Sequence, residues 1–231
     1  MSGSKRLIEA PLGIFGGTFD PIHNGHIFPI LEAAEIAKID KIALTPCYVP
    51  THKSAATASS EHRLNMAKIL CEEYPIFYPE PLDINRNKPT YSIDTLSELN
   101  AKFPNTPLCF FIGTDSLVNI FEWHNWERLF ELCHFIVCQR ESDDIKQVLN
   151  SKTHNEQLQI LLQQRQVNDP LSLHQSLAGN IFVANTTPLT ISSSTIRKML
   201  TNGNSVEKWL PSSINQYIQQ HKLYQQAGKI C

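Results

Sequence analysis

Gly13-Ile14-Phe15-Gly16-Gly17-Thr18-Phe19-Asp20-Pro21-Ile22-His23-Asn24-Gly25-His26 is the stretch whose reading decides the fold. The apolar run Leu12–Gly16 has the composition of a buried strand and leads straight into a glycine pair. Two histidines three residues apart then open an amphipathic segment from Gly25 to about Lys38, with Ile27, Ile30, Leu31, Ala34 and Ile36 on its apolar face. Pro29 falls within the first turns of that helix, where proline costs less than deeper inside. Strand, glycine turn and helix N-terminus together cradle phosphate, because backbone N–H groups and the positive end of the helix dipole face the same anion. Gly16 and Gly17 permit the close approach this needs. His23 and His26 sit about one helical turn apart and supply two donors that can carry positive charge near neutral pH.

Downstream, strand-like and helix-like segments alternate. Lys41–Thr45, Ile76–Tyr78, Leu108–Ile112, Phe135–Cys138 and Ile181–Ala184 read as strands, the later ones almost wholly apolar, as in a sheet covered on both faces. Glu61–Glu72 reads as a helix capped by Ser60, and a second runs from a cap at Thr90 or Ser92 to about Lys102. Ser192–Leu200 and Ser212–His221 are the closing helices, while Val49–Ser60 and Asp83–Pro89 are polar and looplike. Glu141–Gly179 is rich in Gln, Asn and Ser, with a helical stretch near Gln157–Gln164. It has too few apolar residues for a core of its own and reads as a variable surface excursion. The alternation predicts one α/β domain over residues 1–231: a Rossmann-like, doubly wound parallel sheet with helices on both faces.

Composition excludes other classes. Hydrophobic residues make up 42% of the 231, which rules out global disorder. A net charge of -2, from 20 basic and 22 acidic residues, carries no basic surplus that would advertise nucleic acid as a partner. Met1–Arg6 lacks the apolar centre of a signal peptide, and no apolar run approaches the ~20 residues of a membrane span. The expectation is a soluble cytoplasmic protein with no membrane partner and an oligomeric state that the sequence does not define. Cys47, Cys71, Cys109, Cys133, Cys138 and Cys231 form no CxxC pair and fit no usual zinc spacing. Several lie in apolar runs such as Leu108-Cys109-Phe110-Phe111-Ile112, as free thiols do in a reducing compartment.

Three further constellations carry chemistry. In Ile191-Ser192-Ser193-Ser194-Thr195-Ile196-Arg197, hydroxyls cluster at a helix start with an arginine about one turn in. This is either an anion site or simple N-capping beside a surface arginine. Pro50-Thr51-His52-Lys53 follows the second strand, where loops of open α/β sheets meet ligands; Lys53 reaches a phosphate there or is merely solvated. Trp123-His124-Asn125-Trp126 comes after Gly113-Thr114-Asp115-Ser116, and an aromatic pair can stack a planar ring or pack a core, the latter suiting Trp126. Neither GxGxxG nor GxxxxGK[ST] is present. A metal site on His23 and His26 lacks a third protein ligand in the sequence, so no metal ligands are assigned.

In order and spacing these stretches resemble the bacterial nicotinate-nucleotide adenylyltransferases, nucleotidyltransferases marked by HxGH. The mark here is His23-Asn24-Gly25-His26, and Ile191–Arg197 is similar to the family's ISSTxIR. Thr51-His52-Lys53, Glu61-His62-Arg63, Tyr91–Leu96 and Trp123–Trp126 also look like family positions, from about Leu12 to Tyr224, with 141–179 poorly matched. Two departures stand out: Ser194-Thr195 replaces a Thr often followed by an acidic residue, and His124 stands where some relatives have tyrosine.

The resemblance implies transfer of AMP from ATP to nicotinate mononucleotide, with Mg²⁺ accompanying ATP on its phosphates and on water. It implies that His23, His26, Lys53 and Arg197 are catalytic. Gly16, Gly17, Thr18, Phe19, Gly113, Asp115, Arg140, Ile191 and Ser193 would join the histidines and Arg197 around ATP. Thr18, Lys53, Thr90, Trp123 and His124 would hold the mononucleotide, Trp123 stacking on its ring while backbone N–H groups near Trp123 and Thr90 hold its carboxylate. Left open are the same chemistry on nicotinamide mononucleotide or phosphopantetheine, a nucleotide sensor without turnover, and a metal-dependent hydrolase.

Overall fold

A computed structural model of the chain describes residues 7–49, 56–139, 155–187 and 189–225. In chain order its elements are β1 (Leu12–Gly17), α1 (Asn24–Ala37), β2 (Ile42–Pro46), α2 (Ser60–Glu73), β3 (Phe77–Pro79), α3 (Leu82–Asn85), α4 (Ser92–Lys102), β4 (Leu108–Gly113) and α5 (Thr114–Val118). There follow α6 (Trp126–Leu132), β5 (His134–Gln139), α7 (Asn155–Arg165), β6 (Gln166–Val167), β7 (Ile181–Asn185), α8 (Ser193–Thr201) and α9 (Ser212–Gln220). The strands make one sheet in the order β3-β2-β1-β4-β5-β7-β6. The pairs β1–β4, β4–β5, β5–β7 and β6–β7 are parallel, as the alternation predicts. Consecutive residues are buried along β4 and β5, so both faces of the sheet are covered there. The order reverses at β1, and the glycine turn follows its C-terminal end, where open α/β sheets take ligands.

Local chemistry sets the ends. Gly13 is required inside β1, since a Cβ there would lie 2.8 Å from both Ile42 and Phe111. Lys38, in the left-handed region at φ 56°, stops α1, and Ile39 N–H returns to the Ala34 carbonyl. Three expectations are corrected. The cap of α2 is Ser59, not Ser60, with its Oγ accepting the His62 N–H at 3.2 Å. The cap of α4 is Tyr91, whose N–H is taken by the Asp94 carboxylate at 3.0 Å. Within the expected loop 83–89 the chain forms the turn of α3, closed by the Arg86–Asp83 ion pair at 2.7 Å.

Contacts sort the chain into two compact units, the boundary running through β1, α1 and β2. One unit holds Met1–Phe15, Ile30–Ile42 and Tyr91–Pro188, with Trp123 in it. Its core is aromatic around Phe110, Phe130 and Phe135, with Phe130 and Phe135 rings 4.8 Å apart. His134 is fully buried there, Nδ1 accepting the Asn180 N–H and Nε2 donating to the Ser176 carbonyl. Burial holds its pKa below the ordinary 6.5. Between 155 and 179 the chain does more than skirt the surface. Leu158, Leu161, Leu162 and Leu173 are buried, and Gln166–Val167 adds an edge strand too short to be read from sequence. Residues 141–154 lie outside the described ones.

The other unit holds Gly16–Pro29, Ala43–Thr90 and Leu189–Cys231, with both motif histidines in it. Here α2 packs on β3 and on α9. Met66, Ala67 and Leu70 of α2 and Ile214 and Ile218 of α9 are buried. The Tyr217 hydroxyl meets His62 Nδ1 at 3.0 Å and Asn65 Nδ2 at 3.2 Å.

Candidate active site

After β1 the chain turns through Thr18–His23 into α1. Phe19 adopts φ 52°, and its ring, 2% exposed, lies where a Cβ on Gly17 would come within 2.7 Å. Gly17 is therefore imposed by the buried ring. The same ring meets His26 edge-on at 5.7 Å, so Phe19 orients that histidine by packing. His23 and His26 stack with centroids 3.7 Å apart, 25° from parallel. His23 is 2% exposed and His26 half-buried, and Nδ1 of each is sealed from solvent.

Gly25 is fixed from both sides: a Cβ there would lie 2.7 Å from the Ile191 Cγ2 and 3.1 Å from the His23 ring. Only a glycine between the histidines lets both the rings and Ile191 close over the start of α1. Asn24 ties the same point to the far end of the chain, its N–H and Nδ2 donating to the Trp209 and Lys208 carbonyls. At the start of α8, Ser192 is the N-cap, accepting the Thr195 N–H at 3.2 Å. Ser193 Oγ donates to the Pro21 carbonyl at 3.0 Å, and Arg197 Nη1 to the Asp20 carbonyl at 2.7 Å. Ser193 and Arg197 are thus brought onto the histidine turn itself, and the Arg197 side chain remains 30% exposed.

Three residues given no site role from the sequence organise this turn. Arg63, 1% exposed, donates to the carbonyls of Thr18, Cys47 and Tyr48 at 2.6–2.8 Å. It holds the chain just past β1 to the chain just past β2 with a buried positive charge. Its place in Glu61-His62-Arg63 was the available signal. Asp20, inside the motif, accepts the Thr57 and Ala58 N–H groups at 2.7 and 3.0 Å and faces Arg197 at 3.4 Å. Tyr224 donates its hydroxyl to the same carboxylate. Thr18 contributes a carbonyl to Arg63 and a hydroxyl within 3.8 Å of the Cys47 thiol. Gly16 and Gly17 are half-buried, and the Gly17 carbonyl accepts the Cys47 N–H. Thr90, also in this unit, is half-buried and donates to the Lys88 carbonyl. Lys53, with Thr51 and His52, lies outside the described residues, as does Arg140.

In the other unit, Gly113 caps α5, and Asp115 folds back so that its Oδ1 fills the space beside the glycine. Trp123 is half-buried with its ring edge-on to Phe110 at 6.1 Å, while the Tyr91 and His124 rings, both exposed, lie 4.6 Å apart and tilted by 34°. The Trp123 N–H already donates to the Ile120 carbonyl at 3.0 Å, so a carboxylate there competes with that bond. Trp126 packs between Phe121 and Phe130, as its core reading expects. Among the described residues no group of three or more His, Cys, Asp or Glu could hold a metal ion. None of their helices is long and apolar enough to cross a membrane.

A glycine turn beyond the reversal strand, with stacked imidazoles and an arginine held over it, suits a protein that handles nucleotide phosphates. Residues 14–199 match the cytidylyltransferase-like family. The chain is 44% identical over 219 residues to a probable nicotinate-nucleotide adenylyltransferase of Pseudoalteromonas atlantica, covering 94% of this chain and 96% of that one. It is 36% identical to the probable nicotinate-nucleotide adenylyltransferase of Aeromonas salmonicida, covering 95% and 99%. The chain belongs to this nicotinate-nucleotide adenylyltransferase family of nucleotidyltransferases, as its motifs imply. Among solved structures, Plasmodium falciparum nicotinic acid mononucleotide adenylyltransferase complexed with NaAD has a TM-score of 0.69 at 23% identity, covering 94% of this chain and 98% of that one, a likeness of fold.

Proposed function

We infer that this chain transfers the adenylyl group of ATP to nicotinate mononucleotide, giving nicotinate adenine dinucleotide and pyrophosphate. The observation that carries the reading is the stacked His23–His26 pair, set in a turn that Gly25, Arg63 and Asp20 hold rigid. In the reaction a phosphate oxygen of the mononucleotide attacks the α-phosphorus of ATP. The bond from that phosphorus to the bridging oxygen of the β-phosphate breaks, and pyrophosphate leaves with the electron pair. A phosphate monoester has its second pKa near ~6, so the nucleophile is already anionic and needs no general base. The barrier is that of bringing two polyanions together in line, and it is lowered by fixed donors aimed at the charge that develops.

His23 and His26 take that role on the triphosphate, and Lys53 and Arg197 share it. Gly16, Gly17, Thr18, Phe19 and Ile191 shape the cradle, and Ser193 braces it through Pro21. Gly113 and Asp115, with Arg140, serve the adenosine end. Trp123, with His124 and Thr90, takes the pyridine ring and its carboxylate. Mg²⁺ bound to ATP would neutralise phosphate charge and would take its ligands from phosphates and water, so none of these side chains is assigned to it. The protein works in the cytoplasm as one nucleotidyltransferase domain, in keeping with its five described cysteines being free thiols.

The test is direct. The purified chain is incubated with ATP, Mg²⁺ and each acceptor separately, and pyrophosphate is measured. Release with nicotinate mononucleotide well above release with nicotinamide mononucleotide or phosphopantetheine is expected. No release with any acceptor would sink the reading.

A further inference from the structure

The segment that follows α9 reaches the histidine turn at one buried carboxylate. Tyr224 is buried, and its hydroxyl donates to Asp20 Oδ1 at 2.8 Å. The same oxygen accepts the Ala58 N–H, while Oδ2 accepts the Thr57 N–H at 2.7 Å. Oδ2 also stands 3.4 Å from Arg197 Nη1, which donates to the Asp20 carbonyl at 2.7 Å. Thr201, on α8 with Arg197, lies within 2.9 Å of the Tyr224 carbonyl. Three donors besides Arg197 therefore fix a carboxylate whose remaining freedom is to lean towards the guanidinium. A separation of 3.4 Å is long for a charge-assisted pair, so the contact has room to tighten if one of those donors is lost.

We infer that Tyr224 is a positioning residue for adenylyl transfer: by satisfying Asp20 it keeps the Arg197 guanidinium turned to the polyphosphate. Burial, reinforced by the Asp20 carboxylate, pushes the Tyr224 hydroxyl well above its ordinary titration range, so it remains a donor at every working pH. Without that donor, Asp20 takes more of Arg197, and ATP loses the contact while the mononucleotide does not. In its kinetic form the inference rests on the adenylyltransferase reading. In its binding form it needs only that Arg197 meets ATP.

The test compares wild type, Tyr224→Phe, Arg197→Met and the double variant of the full chain, each confirmed folded by circular dichroism and thermal melting. One hydrogen bond of about 1 kcal/mol corresponds to about a fivefold rise in the KM for ATP in Tyr224→Phe, with the KM for nicotinate mononucleotide unchanged. In the Arg197→Met background the same substitution should have almost no further effect, because the two act as a unit. An unchanged KM for ATP, equal rises for both substrates, or the same fold-change in both backgrounds would overturn the inference. If wild type releases no pyrophosphate, the adenylyltransferase reading fails by itself. MgATP affinity of the same four proteins, measured by calorimetry, then decides the inference: weaker binding in Tyr224→Phe than in wild type, with no further loss when it is added to Arg197→Met, supports it, and equal or absent binding overturns it.

Discussion

The unit with the histidines and the unit with Trp123 are built differently, and their side chains show it. Around His23 and His26, Arg63, Asp20, Ser193 and Tyr224 are all committed to carbonyls, N–H groups or one another. Around Trp123 the contacts are ring against ring: Phe110 edge-on to it, and Tyr91 against His124 at the exposed surface. An anion site acts through dipoles, whose effect falls off quickly with misalignment, so it needs a rigid polar frame. A site for a flat ring acts through area and dispersion, which tolerate small shifts. The difference teaches where function is brittle: in the hydrogen-bonded turn, more than among the aromatics.

The comparison can be broken most readily at His26. His26→Ala should lower kcat by about 10²–10³-fold, as loss of one charge-stabilising donor does, while the melting temperature holds. A folded variant with near-wild-type kcat would remove His26 from the chemistry. Gly25→Ala comes next: its Cβ meets Ile191 and His23 inside van der Waals distance, and such overpacking costs about 1–3 kcal/mol. Chemical denaturation should show that loss, with a higher KM for ATP alongside it; a fully stable, fully active variant would mean the turn is softer than its packing implies. Trp123→Ala is milder, an aromatic contact of up to ~1.5 kcal/mol giving up to about a tenfold rise in the KM for nicotinate mononucleotide and little change for ATP. A rise for ATP alone would reverse the division of labour between the two regions.

The smallest effect concerns stability. His134 is held neutral, its pKa lowered by burial from 6.5, so the unfolded chain takes up the proton first as pH falls. Its contribution is complete above the unfolded value. It is lost as pH drops from about 6.5 towards the lower folded value. Unfolding free energies across that window should slope less in His134→Asn than in wild type. Identical slopes would mean that His134 titrates alike in both states.

Much of this was legible in sequence because it is local. The alternation of apolar runs fixes strands and helices within a few residues, and β4 and β5 announce themselves by unbroken apolarity. The HNGH and ISSS stretches are contiguous, so their residue types and spacing could be read together. What failed failed for physical reasons. The cap at Ser59 rather than Ser60 is a choice between adjacent hydroxyls that only backbone angles settle. The strand Gln166–Val167 has no pattern of its own and exists because β7 offers it an edge. What Phe19 does for His26 was not legible either, since its buried ring meets that histidine edge-on only in the folded turn.

By itself the sequence determined the α/β alternation, the glycine turn with its two histidines and the family, since each rests on short-range order. Tertiary structure alone decided what holds the turn in place. The Tyr224–Asp20 bond joins residues 204 positions apart, and Arg63 binds three carbonyls from two loops. Such partners are chosen by burial: a carboxylate or guanidinium removed from water takes whichever donors or acceptors the folded chain brings within reach, and no local spacing records which those will be.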